Sequence, residues 1–376
     1  MELLRRVEIL GYKTLRDVRL DLRRLNVMIG ANGAGKSNFV SFFRLLGFLS
    51  TEALQLYIGR SGGANGLLFY GAKRTPQIEI RLDFENDDGD NTYLARLVHA
   101  AGDVLVFVDE ELIFLRRGAE SPPRVLNLGA GHRESLMRWR SEQEHDPTAY
   151  VIRRLLRRCK AFQFHDTSDF APIRQTAHSS DNLYLRSDAG NLAAYLRRLA
   201  AEDGHPDAYR RIVDTIRQVA PFFDDFVLEP DGGAESGILL RWRERGSEIV
   251  FGPHQLSDGT LRTMALVTLL LQPDESLPSL LVIDEPELGL HPYALTVVAS
   301  LIRAASTRCQ ILISTQSTAL LDHFDAEDVI VVERGEGGST FSRLDPEDLA
   351  DWLAEYSLSE LWEKNVLGGR PGAWPA

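Results

Sequence analysis

The chain has 376 residues, of which 44% are hydrophobic and 26% charged, as is typical of a globular protein with a substantial core. A net charge of −12 disfavours a protein that wraps nucleic acid with its whole surface, although a local basic patch could still bind it. The apolar runs are too short to span a bilayer, and residues 1–6 lack the core of a secretory signal. Two lone cysteines, Cys159 and Cys309, favour a reducing compartment. We therefore expect a cytoplasmic protein without a membrane partner.

The first third of the chain is dominated by strand patterns. Apolar runs or period-two alternation predict strands at 3–10, 25–29, 77–84, 92–99, 103–108 and 111–116. The last four predict a small antiparallel sheet. A helix is predicted from about Ser37 to Leu49, and the glycine-rich residues 61–72 are expected to form a loop.

The rest of the chain alternates between helical and strand patterns. Helices are predicted at 133–160, 190–219 with a break at 204–206, 258–271, 292–305 and 317–322. Strands are predicted at 161–165, 226–230, 237–243, 279–283, 309–314 and 328–332. From residue 258 onward this order is typical of an α/β domain.

Residues 30–37 fit the phosphate-loop pattern Gly-x-x-x-x-Gly-Lys-Ser between a predicted strand and a predicted helix. Glycines let the backbone fold closely around phosphates, with successive N–H groups pointing inward. Lys36 would reach the β- and γ-phosphates of ATP, and the Ser37 hydroxyl would ligate Mg²⁺. The predicted contacts are Gly30, Ala31, Asn32, Gly33, Ala34, Gly35, Lys36, Ser37 and Asn38. A plain glycine turn is the alternative, and the flanking elements disfavour it.

A second segment, Leu-Leu-Val-Ile-Asp-Glu at 280–285, is an apolar run that ends in two carboxylates. Such a continuous run is typical of a buried parallel strand. Asp284 at its tip would hold Mg²⁺, directly or through water, and Glu285 would orient and deprotonate the attacking water. An ordinary strand end with surface acids is the alternative, which the phosphate loop makes less plausible.

A third segment, Leu-Ser-Asp-Gly-Thr at 256–260, precedes a predicted helix, with Ser257 lying 27 residues before Asp284. The serine hydroxyl, the backbone of Gly259 and the helix N-terminus together make a second anion site. A simple helix cap by Ser257 or Asp258 explains the same residues without a ligand. The segment resembles the signature loop of ABC-type ATPases, usually Leu-Ser-Gly-Gly-Gln, which in that family closes over the ATP of the opposite subunit. The resemblance makes Ser257, Asp258 and Gly259 candidate nucleotide contacts.

The three motifs together resemble the RecF/SMC-like branch of ABC ATPases, and more narrowly the bacterial AAA family ATPases with an ABC-type core. Two further stretches, 9–15 and 284–292, are similar to segments of that branch. The resemblance implies an α/β fold, a P-loop NTPase of the ABC-ATPase head type with a mixed sheet, flanking helices and a β-plus-helical inserted subdomain. The implied organisation is a nucleotide-binding core at 1–60 and 245–335, an inserted lid at 61–244 and a helical tail at 336–376.

The resemblance also assigns weaker candidates in the second half of the chain. His291 falls where ABC proteins carry the D-loop aspartate, although a histidine at a helix start before Pro292 explains it equally well. Gln316 stands where ABC transporters place a histidine, and we assign it a catalytic role. Glutamine can hydrogen-bond the γ-phosphate but cannot gain a proton, which argues against fast hydrolysis.

Two other positions are implied less specifically. The Q-loop is expected after the strand at 161–164, near His165 and Asp166, with His165 as a metal-ligand candidate. Lys13 or Tyr12 is expected to contact the nucleotide from the N-terminal strand, with a surface role as the alternative.

The resemblance implies ATP and Mg²⁺ as cofactors and a homodimer with shared ATP sites. The chain has no zinc hook, and about 45 residues after the last ATPase strand are too few for a Toprim nuclease domain. Because relatives of this type often act with a separate effector and this sequence carries none of its own, the resemblance implies a sensor or regulator in bacterial genome maintenance or antiphage defence, acting with a separately encoded nuclease-like or Toprim-like effector. The alternative is a RecF-like DNA-binding clamp or loader in DNA repair.

Two surface features have open interpretations. The basic run Arg153, Arg154, Arg157, Arg158 and Lys160 is either a solvated helix face or a contact for DNA or a partner. The acidic segment 346–356 is predicted to be helical, with the apolar positions 349, 352, 353 and 356 docked on the core rather than on a partner. The aromatic tail also contains Trp362 and Trp374.

Overall fold

The computed structural model describes residues 2–230 and 237–369. The chain divides into two compact units. Unit 1 comprises Met1–Ala161, Pro278–Val282 and Cys309–Ala376, and unit 2 comprises Phe162–Leu277 and Ile283–Arg308. No helix within the described ranges combines the length and the apolar character that crossing a membrane requires.

The elements of the described chain are these. The strands are β1 (Leu3–Tyr12), β2 (Leu15–Asp21), β3 (Leu25–Ile29), β4 (Gln77–Glu85), β5 (Gly89–Ala100), β6 (Val104–Arg116), β7 (Arg124–Asn127), β8 (Cys159–Phe162), β9 (Ala177–His178), β10 (Phe223–Val227), β11 (Gly237–Ile238), β12 (Arg241–Glu244), β13 (Val250–Phe251), β14 (Leu280–Asp284), β15 (Gln310–Thr315), β16 (Val329–Gly335) and β17 (Gly338–Arg343). The helices are α1 (Lys36–Leu49), α2 (Leu54–Arg60), α3 (Met137–Glu142), α4 (Pro147–Arg157), α5 (Leu192–Ala200), α6 (Pro206–Val219), α7 (Asp258–Leu271), α8 (Pro292–Ser306), α9 (Thr318–Leu321), α10 (Ala350–Leu353) and α11 (Leu358–Glu363).

Unit 1 contains an antiparallel sheet with the order β2-β1-β4-β5-β6-β7. The predicted period-two alternation is confirmed in β4, where Ile78, Ile80, Leu82 and Phe84 are buried and the residues between them are not. The two strands predicted at 103–108 and 111–116 are one strand, β6, whose pairing with β5 shifts register between Arg96 and Leu97. The bulge lets one strand continue where the alternation of apolar and polar residues is interrupted and therefore predicts two strands.

A second sheet has the order β17-β16-β3-β15-β14-β8. Both β15 and β16 run parallel to β3, while β17 runs antiparallel to β16, which confirms the predicted mixed sheet. The strands β3, β14 and β15 are buried along their whole length, as continuous apolar runs predict. Because parallel strands end at one edge, Ile29 lies opposite Thr315, and the residues that follow both strands leave the sheet together.

Two predicted helices are each broken into two. The segment 133–160 forms α3 and α4 because Asp146 caps the second helix, its Oδ1 accepting from the N–H groups of Thr148 and Ala149 at 2.9 and 3.0 Å. The segment 190–219 forms α5 and α6, which confirms the predicted break at 204–206, and Pro206 lies in the first turn of α6. The strand predicted at 237–243 is also two strands, because β11 pairs with β9 and β12 pairs with β10.

The C-terminal segment differs from its prediction. None of the α10 side chains is buried and Trp352 is 46% exposed, so the predicted docking of this apolar face on the core is wrong. The next helix, α11, is the buried one, with Leu361 and Trp362 in the interior and a capping box at Ser357. Residue 374 lies outside the described residues.

Candidate functional site

The predicted phosphate loop joins β3 to α1, and α1 begins at Lys36 directly after the loop. Gly33 and Gly35 have φ angles of 80° and 122°, in a region of positive φ that residues other than glycine avoid. A Cβ on Gly35 would lie 2.1 Å from the Oγ of Ser339 in β17, so the loop is also closely packed. Ser37 is exposed at the start of the helix, where N–H groups without helical partners favour an anion.

Lys36 is buried, with 4% of its surface exposed. Its Nζ donates to the carbonyl oxygens of Gly30 at 2.6 Å and Ala31 at 3.2 Å. A buried ammonium group requires such acceptors, since an unpaired charge in the interior is costly. The lysine is thereby held across the first two residues of its own loop.

The turn between β1 and β2 packs against the first turns of α1. Lys13 has a φ of 47°, and its Nζ donates to the Oγ of Ser41 at 3.0 Å. Burial, aided by the neighbouring charge of Arg44, lowers the pKa of Lys13. Asn38 donates from Nδ2 to the Oγ1 of Thr14 at 2.9 Å. Lys13 thus lies against α1, the helix that follows the phosphate loop and contains Asn38. Contact of Lys13 or Asn38 with a nucleotide stays a prediction.

Gln316 belongs to the same edge of unit 1. It follows Thr315, the last residue of β15, which pairs with Ile29 immediately before the phosphate loop. Gln316 is half-buried, and Ser317 after it caps α9 through the N–H of Leu320 at 3.1 Å. The topology therefore places this glutamine at the loop, as a residue that senses a bound phosphate requires.

In unit 2, the paired carboxylates end β14. Asp284 is 4% exposed, and Glu285 adopts a φ of 46°, which is rare for a residue with a long side chain. Such backbone strain persists where the surrounding structure enforces it, and it is concentrated at functional sites. The Nε2 of Gln163, one residue after β8, donates to the Oδ2 of Asp284 at 3.4 Å.

His165 links these groups. Its Nε2 lies 3.0 Å from the carbonyl oxygen of Asp284 and 3.9 Å from Oε2 of Glu285, while its Nδ1 lies 2.8 Å from Nε2 of Gln163. A carbonyl can only accept and an amide N–H can only donate, so this arrangement assigns the ring proton to Nε2. A role of His165 as a metal ligand stays a prediction, and it requires one of these hydrogen bonds to break. Across the described residues, no cluster of three His, Cys, Asp or Glu side chains could hold a metal ion.

Gln163 was not among the predicted site residues, although the Q-loop was expected nearby. The pattern placed Gln163 inside the strand predicted at 161–165, whereas β8 ends at Phe162 and Gln163 follows it. Its hydrogen bonds to both Asp284 and His165 identify it as part of this cluster.

The predicted signature loop also belongs to unit 2. Ser257 is exposed and caps α7, its Oγ accepting from the N–H of Thr260 at 3.2 Å. Gly259 lies so close to Gly289 that a Cβ would come within 2.3 Å of the Gly289 carbonyl oxygen. Asp258 forms an ion pair at 2.7 Å with Arg174, a side chain that is only 5% exposed. The serine hydroxyl and the helix N-terminus are thus presented at the surface of the unit.

Arg262, in the second turn of α7, connects this helix with the cluster around Asp284. Its Nε donates to the carbonyl oxygen of Phe164 at 3.0 Å, and its Nη2 donates to the carbonyl oxygen of His165 at 2.7 Å and to Oγ1 of Thr167 at 3.0 Å. Its Nη1 lies 3.4 Å from the carbonyl oxygen of Leu288. One planar guanidinium therefore holds the segment after β8 and the segment after β14 to the signature helix.

His291 caps α8, its Nδ1 accepting from the N–H of Tyr293 at 3.3 Å. This is the helix-start role that the sequence left open, and a role in communication between sites stays a prediction.

Arg153 and Arg154 of α4, and Arg158 directly after it, take part in the structure of unit 1. Arg153 donates to the carbonyl oxygen of Ser50 at 3.1 Å and pairs with Glu142 at 2.7 Å. Arg154 and Arg158 both pair with Glu2. These arginines therefore form ion pairs with their own chain. This agrees better with a helix face than with a contact surface for DNA.

Residues 25–322 match a family, AAA_21, described as "AAA domain, putative AbiEii toxin, Type IV TA system". The chain belongs to this family. As an AAA_21 protein it has an AAA/ABC-type ATPase core, which confirms the resemblance inferred from its motifs.

Solved structures place the AAA_21 chain in the same fold. An SMC head bound to the C-terminal winged-helix domain of ScpA is 16% identical, with a TM-score of 0.58 over 93% of this chain and 99% of that one. An SMC head with an extended coiled coil bound to the C-terminal domain of ScpA, derived from Pyrococcus furiosus, is 17% identical, with a TM-score of 0.57 over 94% and 99%. An SMC head with a coiled coil and joint from Pyrococcus yayanosii is 13% identical, with a TM-score of 0.52 over 94% and 99%. No curated protein matches the sequence. The P-loop ATPase fold of the SMC head type is thus confirmed.

Proposed function

We propose that the chain binds and hydrolyses ATP and that two copies do so at shared sites. The observation that carries this proposal is a second anion site in addition to the phosphate loop with Lys36: the exposed N-terminus of α7, which is capped by Ser257. Each site would join Lys36, Ser37, Asp284 and Glu285 of one copy with Ser257 and Gly259 of the other.

The residues of the chain fit the magnesium complex of ATP. Lys36 would hold the β- and γ-phosphates, and Ser37 and Asp284 are the oxygen donors that suit Mg²⁺, which neutralises developing charge when bound. Glu285 is the proposed general base, and its Oε2 lies 3.9 Å from Nε2 of His165, close enough for the ring to influence its orientation. Gln316 would sense the γ-phosphate without carrying a charge.

We infer a regulatory role for the ATP cycle. The family description names a toxin–antitoxin system, which favours a sensor in antiphage defence, working with a separately encoded nuclease-like or Toprim-like effector, over a DNA-repair clamp. Two of the SMC heads with the same fold are seen bound to a domain of a partner protein, ScpA, so this type of head can serve as a docking platform. The ion pairs of Arg153 and Arg154 supply no argument for DNA binding.

Phosphate release tests the activity. The purified chain should release phosphate from ATP in the presence of Mg²⁺, and chelation by EDTA should remove the activity, because Ser37 and Asp284 would lose the ion they share. Addition of excess Mg²⁺ should restore it. A rate that is unaffected by EDTA would contradict the assignment of both residues.

Replacement of Arg262 by Met tests how the signature helix and the catalytic carboxylates are held together. The change removes the guanidinium donors to the carbonyl oxygens of Phe164, His165 and Leu288. Methionine still provides a long, unbranched chain in place of the aliphatic part of arginine. We expect kcat to fall roughly 10- to 100-fold, the range for loss of a group that orients metal-site residues, with little change in the affinity for ATP, since the phosphate loop belongs to the other unit.

The matched control is Arg211→Met, at an exposed position of α6 in the same unit, which should keep its activity. Equal losses in the two variants, or a loss of ATP affinity without a change in kcat, would refute the role of Arg262.

A further inference from the structure

The last described residues of the chain return to the phosphate loop. The carbonyl oxygen of Gly369 accepts a hydrogen bond from the N–H of Ala31 at 2.8 Å, and the N–H of Gly369 donates to Oε1 of Glu333 at 2.9 Å. Gly369 thus bridges β16 and the start of the loop. All of these residues belong to unit 1.

This contact acts on the peptide that holds the lysine. The N–H of Ala31 and the carbonyl of Gly30 belong to one peptide group, and in a planar trans peptide they point in opposite directions. Gly369 accepts from the N–H side, and Lys36 donates to the carbonyl side at 2.6 Å. The orientation of this peptide is therefore fixed by a hydrogen bond on each side. Loss of the Gly369 contact would remove the hydrogen bond on the N–H side.

The approach depends on glycine. Gly368 and Gly369 have φ angles of 80° and 77° in succession. A Cβ on Gly369 would lie 3.0 Å from Cγ1 of Val331 and 3.5 Å from Cα of Gly30, in a backbone conformation that already disfavours a side chain. A larger residue would therefore push the segment away from the loop.

The segment is also anchored before it reaches the loop. Ser359 in α11 donates to the Asp322 carboxylate, from its N–H at 2.8 Å and from its Oγ at 2.6 Å. Leu361 and Leu367 are buried, with 0% and 8% of their surfaces exposed. Gly369 thus follows a segment that is packed and hydrogen-bonded, and this segment determines its position.

We propose that Gly369 is a positioning residue for ATP binding. By fixing the peptide between Gly30 and Ala31, it keeps the Gly30 carbonyl where that carbonyl orients Nζ of Lys36 for the β- and γ-phosphates. This inference rests on the proposed ATP binding and extends the site to a segment that lies more than 300 residues after the loop in sequence. Gly369 acts through Lys36 and touches no phosphate itself.

The test is Gly369→Val, compared with Gly335→Val, at a glycine whose added Cβ would meet nothing within 4 Å. Titration calorimetry should give a dissociation constant for ATP about tenfold higher in Gly369→Val than in the wild type, and an unchanged one in Gly335→Val. AMP, which lacks the phosphates that Lys36 would hold, should compete for the site equally well in all three proteins. In a Lys36→Ala background, Gly369→Val should cause no further loss.

Other outcomes separate this inference from the proposed function. An unchanged affinity of Gly369→Val for ATP would overturn the inference while leaving ATP binding intact. Equal weakening of ATP and AMP, or a lowered unfolding temperature without nucleotide, would reduce the contact to a structural one and overturn it too. Failure of the wild type to bind ATP would instead refute the proposed function. If Gly369→Val does not fold, Glu333→Ala removes the anchor of the Gly369 N–H at an exposed site, and a loss specific to ATP is again expected.

Discussion

Glu285→Gln is expected to convert a transient ATP complex into a stable dimer. The amide keeps the size of the carboxylate and one of its two acceptor oxygens but cannot act as a base, so hydrolysis should fall by a factor of about 10²–10⁴. The strained backbone at a φ of 46° is unchanged by the substitution, and the geometry around His165 should therefore be retained. Because hydrolysis is proposed to open the dimer, the variant should elute as a dimer with ATP and as a monomer without nucleotide.

The control for this prediction is Glu202→Gln, an exposed glutamate of unit 2 that follows α5. It should hydrolyse ATP like the wild type and show no trapped dimer. A Glu285→Gln chain that stays monomeric in saturating ATP on a sizing column with light scattering would rule out the shared-site proposal.

Two further substitutions should each abolish hydrolysis by removing opposite halves of the site. Lys36→Ala removes the ammonium group that would hold two phosphates. Since hydrogen bonds to charged groups contribute about 1.5–3 kcal/mol each, the dissociation constant for ATP should rise roughly 10- to 100-fold or more. Lys73→Ala, at an exposed lysine of the same unit, is the matched control and should bind ATP normally.

Ser257→Arg acts on the other half. Ser257 is exposed at the N-terminus of α7, where a long cationic side chain would fill the space proposed for the partner's nucleotide. Loss of the cap should cost about 1 kcal/mol of stability, which a domain of this size tolerates. The variant should bind ATP to its own phosphate loop with normal affinity, measured by calorimetry, yet fail to hydrolyse it.

Most of the fold follows from local pattern. The phosphate loop, β3, β14 and α7 could be predicted because their apolar runs, glycines and caps determine structure within a few residues. The division of 133–160 into α3 and α4 was missed, although Asp146 followed by Pro147 is a helix-start signal. The exposed side chain of Trp352 was predicted to be buried because amphipathicity shows only that a helix has an apolar side, and not which of two neighbouring helices, α10 or α11, is buried.

The sequence proposes candidate site residues where one residue type in one pattern determines the chemistry, as at Lys36 and Asp284, and their roles stay predictions. It could not be predicted where long-range contacts supply the role. Arg262, Gln163 and Gly369 acquire their partners from segments far away in sequence, and nothing beside them distinguishes them from other arginines, glutamines or glycines. These contacts become visible only when the topology brings the ends of distant elements together.

Mixing two defective chains tests the shared site most directly. Lys36→Ala and Ser257→Arg are each combined with Glu285→Gln, so that any complete site traps ATP. A mixed pair contains one intact site, built from the phosphate loop of the Ser257→Arg chain and the signature loop of the Lys36→Ala chain. Each variant alone should elute as a monomer with ATP, and the mixture should elute in part as a dimer. A mixture that remains as monomeric as its separate components would contradict the proposal that two copies of the chain build the ATP site.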